Sequence, residues 1–323
     1  MTVTIAIAEL RRLIVARLAQ RFSLDEAERM ADVVLFGELA GRPSHGISRI
    51  LPGRHGATDE PPGPKPKIER IGPTAARIHG SPGMLVASLA TDVTIELAGG
   101  AGMAVVTTVG SKSTSGSLTY YVEQLTNAGL IGIVTANTLS FIAPPGGSQR
   151  TLGTNPIAIG VPTTGLPFVY DVGTAAISFG ELAAARGGGL PIPSGVAVDR
   201  TGATTTDPAA VMDGGALMAF GGHKGFGLAM AVELLNGVLA GATAVGVTPE
   251  DPWGHVFIGI SLASLGDPAE MRVRAQEIVD QLAATDGVRI PGHRSLATRD
   301  ASLARGTVDV DAAALEELRV LVG

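Results

Sequence analysis

Cysteine is absent from the chain, which excludes disulfides, thiol catalysis and cysteine-ligated metal and is typical of a reducing compartment. Aromatic residues make up only 4% and charged residues only 17%, so the core must be built mainly from Ala, Val, Leu and Ile. No run of Lys or Arg is concentrated enough to favour nucleic acid, and the formal net charge is −6. The composition therefore predicts a folded protein that meets any anionic ligand through a few locally placed cations.

A signal peptide and a membrane span are both disfavoured by the sequence. The start, MTVTIAIAELRRLIV, places its arginines in a helical pattern and has no cleavage site. The most apolar stretch, about 226–247, contains Glu233, Asn236 and several glycines, so we predict a buried helix there. We expect a cytoplasmic protein with no membrane or nucleic-acid partner.

Apolar periodicity predicts an α+β chain. Two helices occupy the first 40 residues, and the second begins at the capping box Ser23–Glu26 and stops near Gly41. Further helices are predicted at about 84–98, 118–127, 226–239 and 268–284 and from 311, and short strands at 76–79, 103–108, 131–135, 157–161 and 168–171. The predicted parts are a helical segment (1–66) packing with the C-terminal region, a sheet-rich domain (67–220) and a helical or mixed region (221–323).

The first stretch with chemical potential is Ser44-His45-Gly46-Ile47-Ser48-Arg49. A histidine in a glycine-bounded turn presents an imidazole suited to proton transfer near neutrality. Arg49, four residues on, is suited to a bidentate pair with a carboxylate. Taken alone, these six residues fit an incidental surface turn better than a site.

Two further stretches are rich in glycine. One comprises 143–147 and 152–156, and the other is Gly221-Gly222-His223-Lys224-Gly225-Phe226-Gly227, before a long helix. A lysine at a helix N-terminus suits a phosphate or pyrophosphate, although taken alone an ordinary helix start explains it somewhat better. The dinucleotide fingerprint Gly-x-Gly-x-x-Gly is missing where a Rossmann fold needs it.

In order and approximate spacing, these stretches resemble the type-2 malate/L-lactate dehydrogenases over nearly the whole chain. The resemblance rests on Ser44–Arg49, Gly129–Ile133, Ala143–Gly147, Leu152–Pro156, Asp171–Thr174, Thr206–Pro208, Gly221–Leu228 and Arg289–Gly292. It implies a non-Rossmann NAD(P)-binding sheet domain at 67–220, flanked by an N- and C-terminal helical domain. It also implies a homodimer with active sites near the interface, and hydride transfer between a nicotinamide and a carbon next to a carboxylate.

The resemblance also implies roles for individual residues. His45 corresponds to the proton donor in reduction, Ser44 and Thr114 to the other catalytic positions, and Arg49 to a contact with the substrate carboxylate. The implied cofactor contacts are Ser140, Asp171, Gly173, Thr174, Ala175, Lys224, Gly225, Gly292 and His293. The cofactor is NAD or NADP, and no metal is expected, since the six histidines lack paired-ligand spacing.

Several departures from the family pattern surround these positions. Thr114 stands where relatives often carry a second histidine, and threonine cannot titrate near neutrality. Ala175 lacks a common hydroxyl, Glu181 reverses a common lysine charge, and His293 replaces a common glutamate. These changes predict a substrate other than malate, such as a cyclic imine or a specialised 2-oxo acid.

Two other interpretations stay open. A catalytically lapsed or repurposed member would bind a nucleotide or metabolite without hydride transfer, as the changes at 114, 175 and 181 allow. An unrelated phosphate-binding enzyme using the Lys224 loop would need a Walker motif or a set of magnesium carboxylates, neither of which we identify.

Overall fold

The computed structural model describes residues 1–53, 56–60 and 64–323. Its strands are β1 Thr2–Ala6, β2 Lys67–Gly72, β3 Ala75–His79, β4 Met103–Ser111, β5 Leu130–Ala136, β6 Ser140–Ile142, β7 Leu152–Gly153, β8 Ile157–Val161, β9 Phe168–Val172, β10 Ala197–Val198, β11 Ala216–Leu217, β12 Trp253–Ser261 and β13 Thr307–Asp311. Its α-helices are α1 Ile7–Ala19, α2 Leu24–Leu39, α3 Gly83–Ala101, α4 Leu118–Asn127, α5 Phe179–Gly188, α6 Pro208–Met212, α7 His223–Leu235, α8 Pro268–Ala283, α9 His293–Arg305 and α10 Ala312–Val322.

The strands form three sheets. A seven-stranded sheet has the order β2-β3-β4-β12-β5-β8-β9, a four-stranded sheet the order β10-β11-β6-β7, and β1 pairs with β13. The larger sheet joins an antiparallel pair, β2–β3, to a parallel pair, β3–β4, unlike the all-parallel dinucleotide-binding sheet. The predicted α+β, non-Rossmann class is confirmed, as are the five predicted strands.

The chain forms two compact units, each assembled from separate stretches. Unit 1 comprises Met1–Val134, Ala158–Asp171 and Phe257–Gly323, and unit 2 comprises Thr135–Ile157 and Val172–Val256. The three consecutive ranges predicted above divide the chain by sequence order, whereas the two units divide it by packing and cut across those ranges.

Unit 1 is held together by a large apolar core around α2 and α3. The second helix begins at Ser23, where the Ser23 amide donates to Glu26 Oε2 at 3.0 Å and completes the predicted capping box. It ends at Leu39, two residues before Gly41, whose φ of +68° lets the chain leave the helix. The start of the chain is anchored by β1, which pairs residue by residue with β13.

Helix α3 is long and apolar enough to span a membrane by length and composition. More than half of its most apolar window, 56%, is nevertheless buried. Its buried residues run from Gly83 to Ala98 and contact both β4 and α2. These contacts are those of a core helix.

In unit 2, α7 follows two glycines, Gly221 and Gly222, that both have left-handed φ values. The helix begins three residues before the predicted start and gives way at Asn236 to a π-helical turn ending at Ala240. Only one face is buried, whereas the sequence predicted a buried helix. The opposite face exposes the apolar residues Met230, Leu234, Leu235, Val238 and Leu239.

Candidate active site

His45 ends a single turn of 3-10 helix, Pro43–His45, that follows α2 in unit 1. Ser44 Oγ lies 3.0 Å from His45 Nδ1, so the hydroxyl fixes the orientation of the ring. Arg49 Nε donates to the Ser44 carbonyl at 2.5 Å, and Ser48 Oγ donates to the Pro43 carbonyl at 2.9 Å. The structure therefore brings Ser44, His45 and Arg49 together, and hydrogen bonds from its own side chains hold the turn in shape.

The surroundings of His45 disfavour a positive charge on the imidazole. Desolvation is the main cause and Arg49 the next, and together with Arg42 they lower the pKa of His45 to about 4, while Asp171 acts in the opposite direction. At neutral pH the free protein therefore holds His45 as a neutral imidazole, beside guanidinium groups that attract anions.

Asp171, near the end of β9, is held by the N-terminus of α4. Its Oδ2 accepts hydrogen bonds from Ser117 Oγ at 3.1 Å, Thr119 Oγ1 at 2.7 Å and the Thr119 amide at 3.0 Å. Arg42 Nη1 lies 3.6 Å from the same oxygen, and Arg42 Nε donates to Ser295 Oγ at 3.3 Å. The carboxylate is thus fixed in unit 1, within electrostatic range of His45.

The turn at Gly292 packs against the strand that carries Asp171. Gly292 has a φ of +82°, and a Cβ at this position would lie 2.5 Å from the Val169 carbonyl oxygen, so only glycine fits. His293 begins α9, and its Nε2 is buried without a hydrogen-bond partner among the described residues. An orphaned ring nitrogen at a helix N-terminus is suited to a polar ligand group.

Thr114 lies in the loop before α4, also in unit 1. Its Oγ1 accepts a hydrogen bond from the Gly116 amide at 3.1 Å. Within the described ranges, no hydrogen bond joins it to His45. The structure therefore leaves Thr114 outside the hydrogen-bonded group formed by Ser44, His45 and Arg49.

Unit 2 brings two of the predicted cofactor stretches side by side. Thr174 donates to the Thr154 carbonyl through both its amide, at 2.7 Å, and its hydroxyl, at 3.0 Å. The Thr174 carbonyl accepts from the Phe220 amide at 3.0 Å. A Cβ at Gly225 would lie 2.0 Å from the Phe220 carbonyl oxygen, so glycine is required there too. The main chain of Phe220 thus contacts both residues 173–175 and the start of α7.

The remaining predicted contacts also lie in unit 2. Ala175 forms an isolated bridge with Ala219, and a Cβ at Gly173 would lie 3.4 Å from the Thr154 carbonyl oxygen. Ser140, on β6, donates its hydroxyl to the Thr151 carbonyl at 3.2 Å. Within the described part of unit 2, no hydrogen bond joins Ser140 to the other predicted contacts.

These residues fit a cofactor that carries phosphates. Lys224 is exposed in the first turn of α7, behind two exposed glycines, where the helix N-terminus adds partial positive charge. The residues that would hold NAD(P) are therefore compatible with an anionic, hydrogen-bonding group.

Sequence reasoning missed the residues that support Asp171. Arg42 stands three residues before His45, and Ser117 and Thr119 start α4, yet none was singled out. The available signal was a pair of hydroxyl residues at a helix start, which is common in proteins and does not reveal which distant carboxylate they hold.

Known proteins resemble this chain over nearly its whole length. A family profile described as malate/L-lactate dehydrogenase matches residues 5–319. A Delta(1)-pyrroline-2-carboxylate/Delta(1)-piperideine-2-carboxylate reductase from Pseudomonas syringae pv. tomato is 34% identical, covering 93% of this chain and 91% of its own. An L-sulfolactate dehydrogenase from Methanothermobacter thermautotrophicus is 36% identical, covering 83% and 81%.

The fold agrees with this kinship. The crystal structure of delta1-piperideine-2-carboxylate reductase from Pseudomonas syringae superposes with a TM-score of 0.89 and 31% identity, covering 99% of both chains. The matched relatives are dehydrogenases and reductases, which are hydride-transferring oxidoreductases. The chain belongs to the malate/L-lactate dehydrogenase family. It is an NAD(P)-dependent dehydrogenase or reductase.

Proposed function

We propose that the protein transfers hydride between NAD(P)(H) and the carbon next to a carboxylate, interconverting a 2-oxo and a 2-hydroxy acid or a cyclic imino and an amino acid. The observation that carries this proposal is the hydrogen-bonded turn in which the Ser44 hydroxyl contacts the His45 ring and the Arg49 guanidinium donates to the Ser44 carbonyl. A guanidinium beside an imidazole suits an anion whose neighbouring carbon gains or loses a proton at its heteroatom.

In the reducing direction, His45 is the proton donor. The bound nicotinamide supplies the hydride, and the protein orients the reactants and excludes water. Ser44 engages Nδ1, so Nε2 is the nitrogen left to give its proton to the substrate oxygen or nitrogen. In the oxidising direction, neutral His45 takes that proton back, and Asp171 stabilises the imidazolium that forms.

Protonation of His45 is coupled to substrate binding in this mechanism. Arg49 lowers the pKa of His45 in the free protein, and a substrate carboxylate placed on Arg49 offsets that positive charge. Binding of the anion therefore raises the pKa of His45 above its free value of about 4 and draws a proton onto the ring. The proton donor is thus formed when the substrate arrives.

This coupling predicts the pH dependence of reduction. Because kcat/KM reports the free protein and the pKa of His45 there is about 4, the protonated fraction grows as pH falls from 8 to 5. We expect kcat/KM for a 2-oxo acid to rise by about tenfold per pH unit in that interval, and the pKa seen in kcat to lie higher. A flat kcat/KM profile for the 2-oxo acid would contradict the role of His45.

The proposed substrate differs from malate. Support comes from Thr114, which has no hydrogen bond to His45 among the described residues and cannot titrate near neutrality, and from His293 in the Gly292 turn. The test follows absorbance at 340 nm with NADH and with NADPH against pyruvate, oxaloacetate, a ureido-oxo acid and five- and six-membered cyclic imino acids. Malate-type turnover as good as any other would reject the divergent substrate. Cofactor binding without any turnover would favour a catalytically lapsed member.

We also infer a cytoplasmic homodimer with the site near its interface. Support comes from Met230, Leu234 and Val238, spaced four residues apart on one face of the α7 segment and 47%, 63% and 74% exposed. Lys224 and Gly225 lie at the start of the same helix.

Sedimentation of the wild type and of Leu234→Glu tests this interface. We expect a dimer for the wild type and a monomer for the variant, because a charge in an apolar interface is costly. Val320→Glu, at another exposed apolar residue on α10, is the matched control and should stay dimeric. A monomeric wild type would reject the dimer, and dissociation only by Val320→Glu would move the interface to α10.

A further inference from the structure

A buried carboxyl packs directly against the segment that carries His45. Glu38, the second-last residue of α2, is only 4% exposed. Its Oε1 accepts a hydrogen bond from the Ile47 amide at 2.7 Å. We propose that Glu38 is a positioning residue, whose carboxyl fixes the main chain at Gly46–Ile47 and thereby places the His45 imidazole. This rests on the proposed function only in taking His45 as the reacting group.

Two glycines allow the helix and the turn to approach this closely. A Cβ at Gly37 would lie 2.4 Å from the His45 carbonyl oxygen, and a Cβ at Gly46 would lie 1.9 Å from Glu38 Oε1. The Arg42 amide also donates to the Gly37 carbonyl at 2.8 Å. The Glu38 carboxyl therefore occupies the space that any larger residue at position 46 would need, and the turn cannot shift without breaking these contacts.

The bonding partners of Glu38 also differ from those of a buried glutamate whose charge is paired with a cation. Glu123, another buried glutamate of unit 1, is ion-paired with Arg299. Glu38 forms no ion pair within the described ranges, and the Ile47 amide is its hydrogen-bond donor. A buried carboxyl without a cation costs free energy that an apolar side chain would not, so its presence beside the reacting histidine calls for a functional reason.

The electrostatics agree with this geometry. Burial raises the pKa of Glu38 to about 7, the Ile47 amide acts against that shift, and Asp311 adds to it. Near neutrality the carboxyl is thus close to its midpoint, and the amide hydrogen bond is the interaction that favours its ionised form.

The test compares Glu38→Ala and Glu38→Gln with Glu123→Gln as the matched control. In Glu38→Ala the Ile47 amide loses its acceptor, so we expect kcat to fall by roughly 10²-fold, the cost of displacing a reacting group by about 1 Å, with little change in KM. Glu38→Gln keeps an oxygen acceptor and should retain most of the wild-type kcat. Glu123→Gln should lower the unfolding temperature without lowering kcat.

Amide hydrogen exchange over residues 43–50 supplies a readout independent of turnover. Exchange in this segment should be faster in Glu38→Ala than in the wild type and close to the wild-type rate in Glu38→Gln and Glu123→Gln. Wild-type kcat or unchanged exchange in Glu38→Ala would overturn the proposal, as would an equal loss of kcat in Glu123→Gln. If the wild type turns over no substrate, the proposed function fails, and the exchange measurement still decides whether Glu38 holds the segment.

Discussion

Replacing His45 with alanine is expected to lower kcat/KM by roughly 10²- to 10⁴-fold, the usual contribution of a positioned general acid–base residue. The His45 ring is hydrogen-bonded through Nδ1 to the Ser44 hydroxyl. Arg49 lowers its pKa and Asp171 raises it. Alanine removes the only titratable side chain of that turn near neutrality and leaves the Ser44–Arg49 bond in place. The loss should therefore appear in the chemical step and not in the fold.

The comparison needs a second histidine variant and a measure of folding. His79, on β3 with its side chain 45% exposed and paired with Glu69, is the matched control. His79→Ala should keep wild-type kcat/KM, and both variants should unfold near the wild-type temperature. Cofactor titration of His45→Ala should give a wild-type Kd. Wild-type turnover in His45→Ala would remove His45 from the chemistry, and a lost cofactor affinity would place it in the binding site instead.

The sequence predicted those parts of the fold that depend on local pattern. The capping box at Ser23 located the start of α2, and α4 was predicted with the bounds the structure has, because its apolar stripe repeats at helical spacing. Strand β1 was missed and treated as part of a helix. Its partner β13 lies about three hundred residues away in the sequence, so the pairing that makes it a strand leaves no local signal.

In the candidate site, too, the sequence predicted the residues that lie close together in the chain but not those that come from distant segments. Ser44, His45 and Arg49 lie within six residues, so the sequence alone brought them together, and the structure adds the bonds between them. Asp171 was predicted as a cofactor contact, and that role stays a prediction. Its bonds to Ser117 and Thr119 span more than fifty residues, and Glu38 acts through the main chain of a turn nine residues on. These supporting interactions depend on tertiary packing, and no sequence motif indicates them.

Replacing Asp171 with asparagine is expected to lower kcat by roughly 10²- to 10⁴-fold, by analogy with carboxylates that support a catalytic histidine elsewhere. The asparagine oxygen can take the place of Oδ2 and keep its three donors from Ser117 and Thr119. The negative charge is lost, so the guanidiniums of Arg42 and Arg49 lower the pKa of His45 further and disfavour the imidazolium. The fold should survive while the chemistry slows.

Thr119→Val is the control for Asp171→Asn, since it removes one hydroxyl donor and retains both the charge and the Thr119 amide. We expect it to cost far less in kcat than Asp171→Asn. Steady-state kinetics with NAD(P)H varied then separates two roles for the carboxylate. A fall in kcat with an unchanged KM for NAD(P)H supports an electrostatic partner of His45. A raised KM for NAD(P)H with wild-type kcat would instead support the cofactor contact that the family resemblance implies, because binding would weaken while the proton transfer stayed intact.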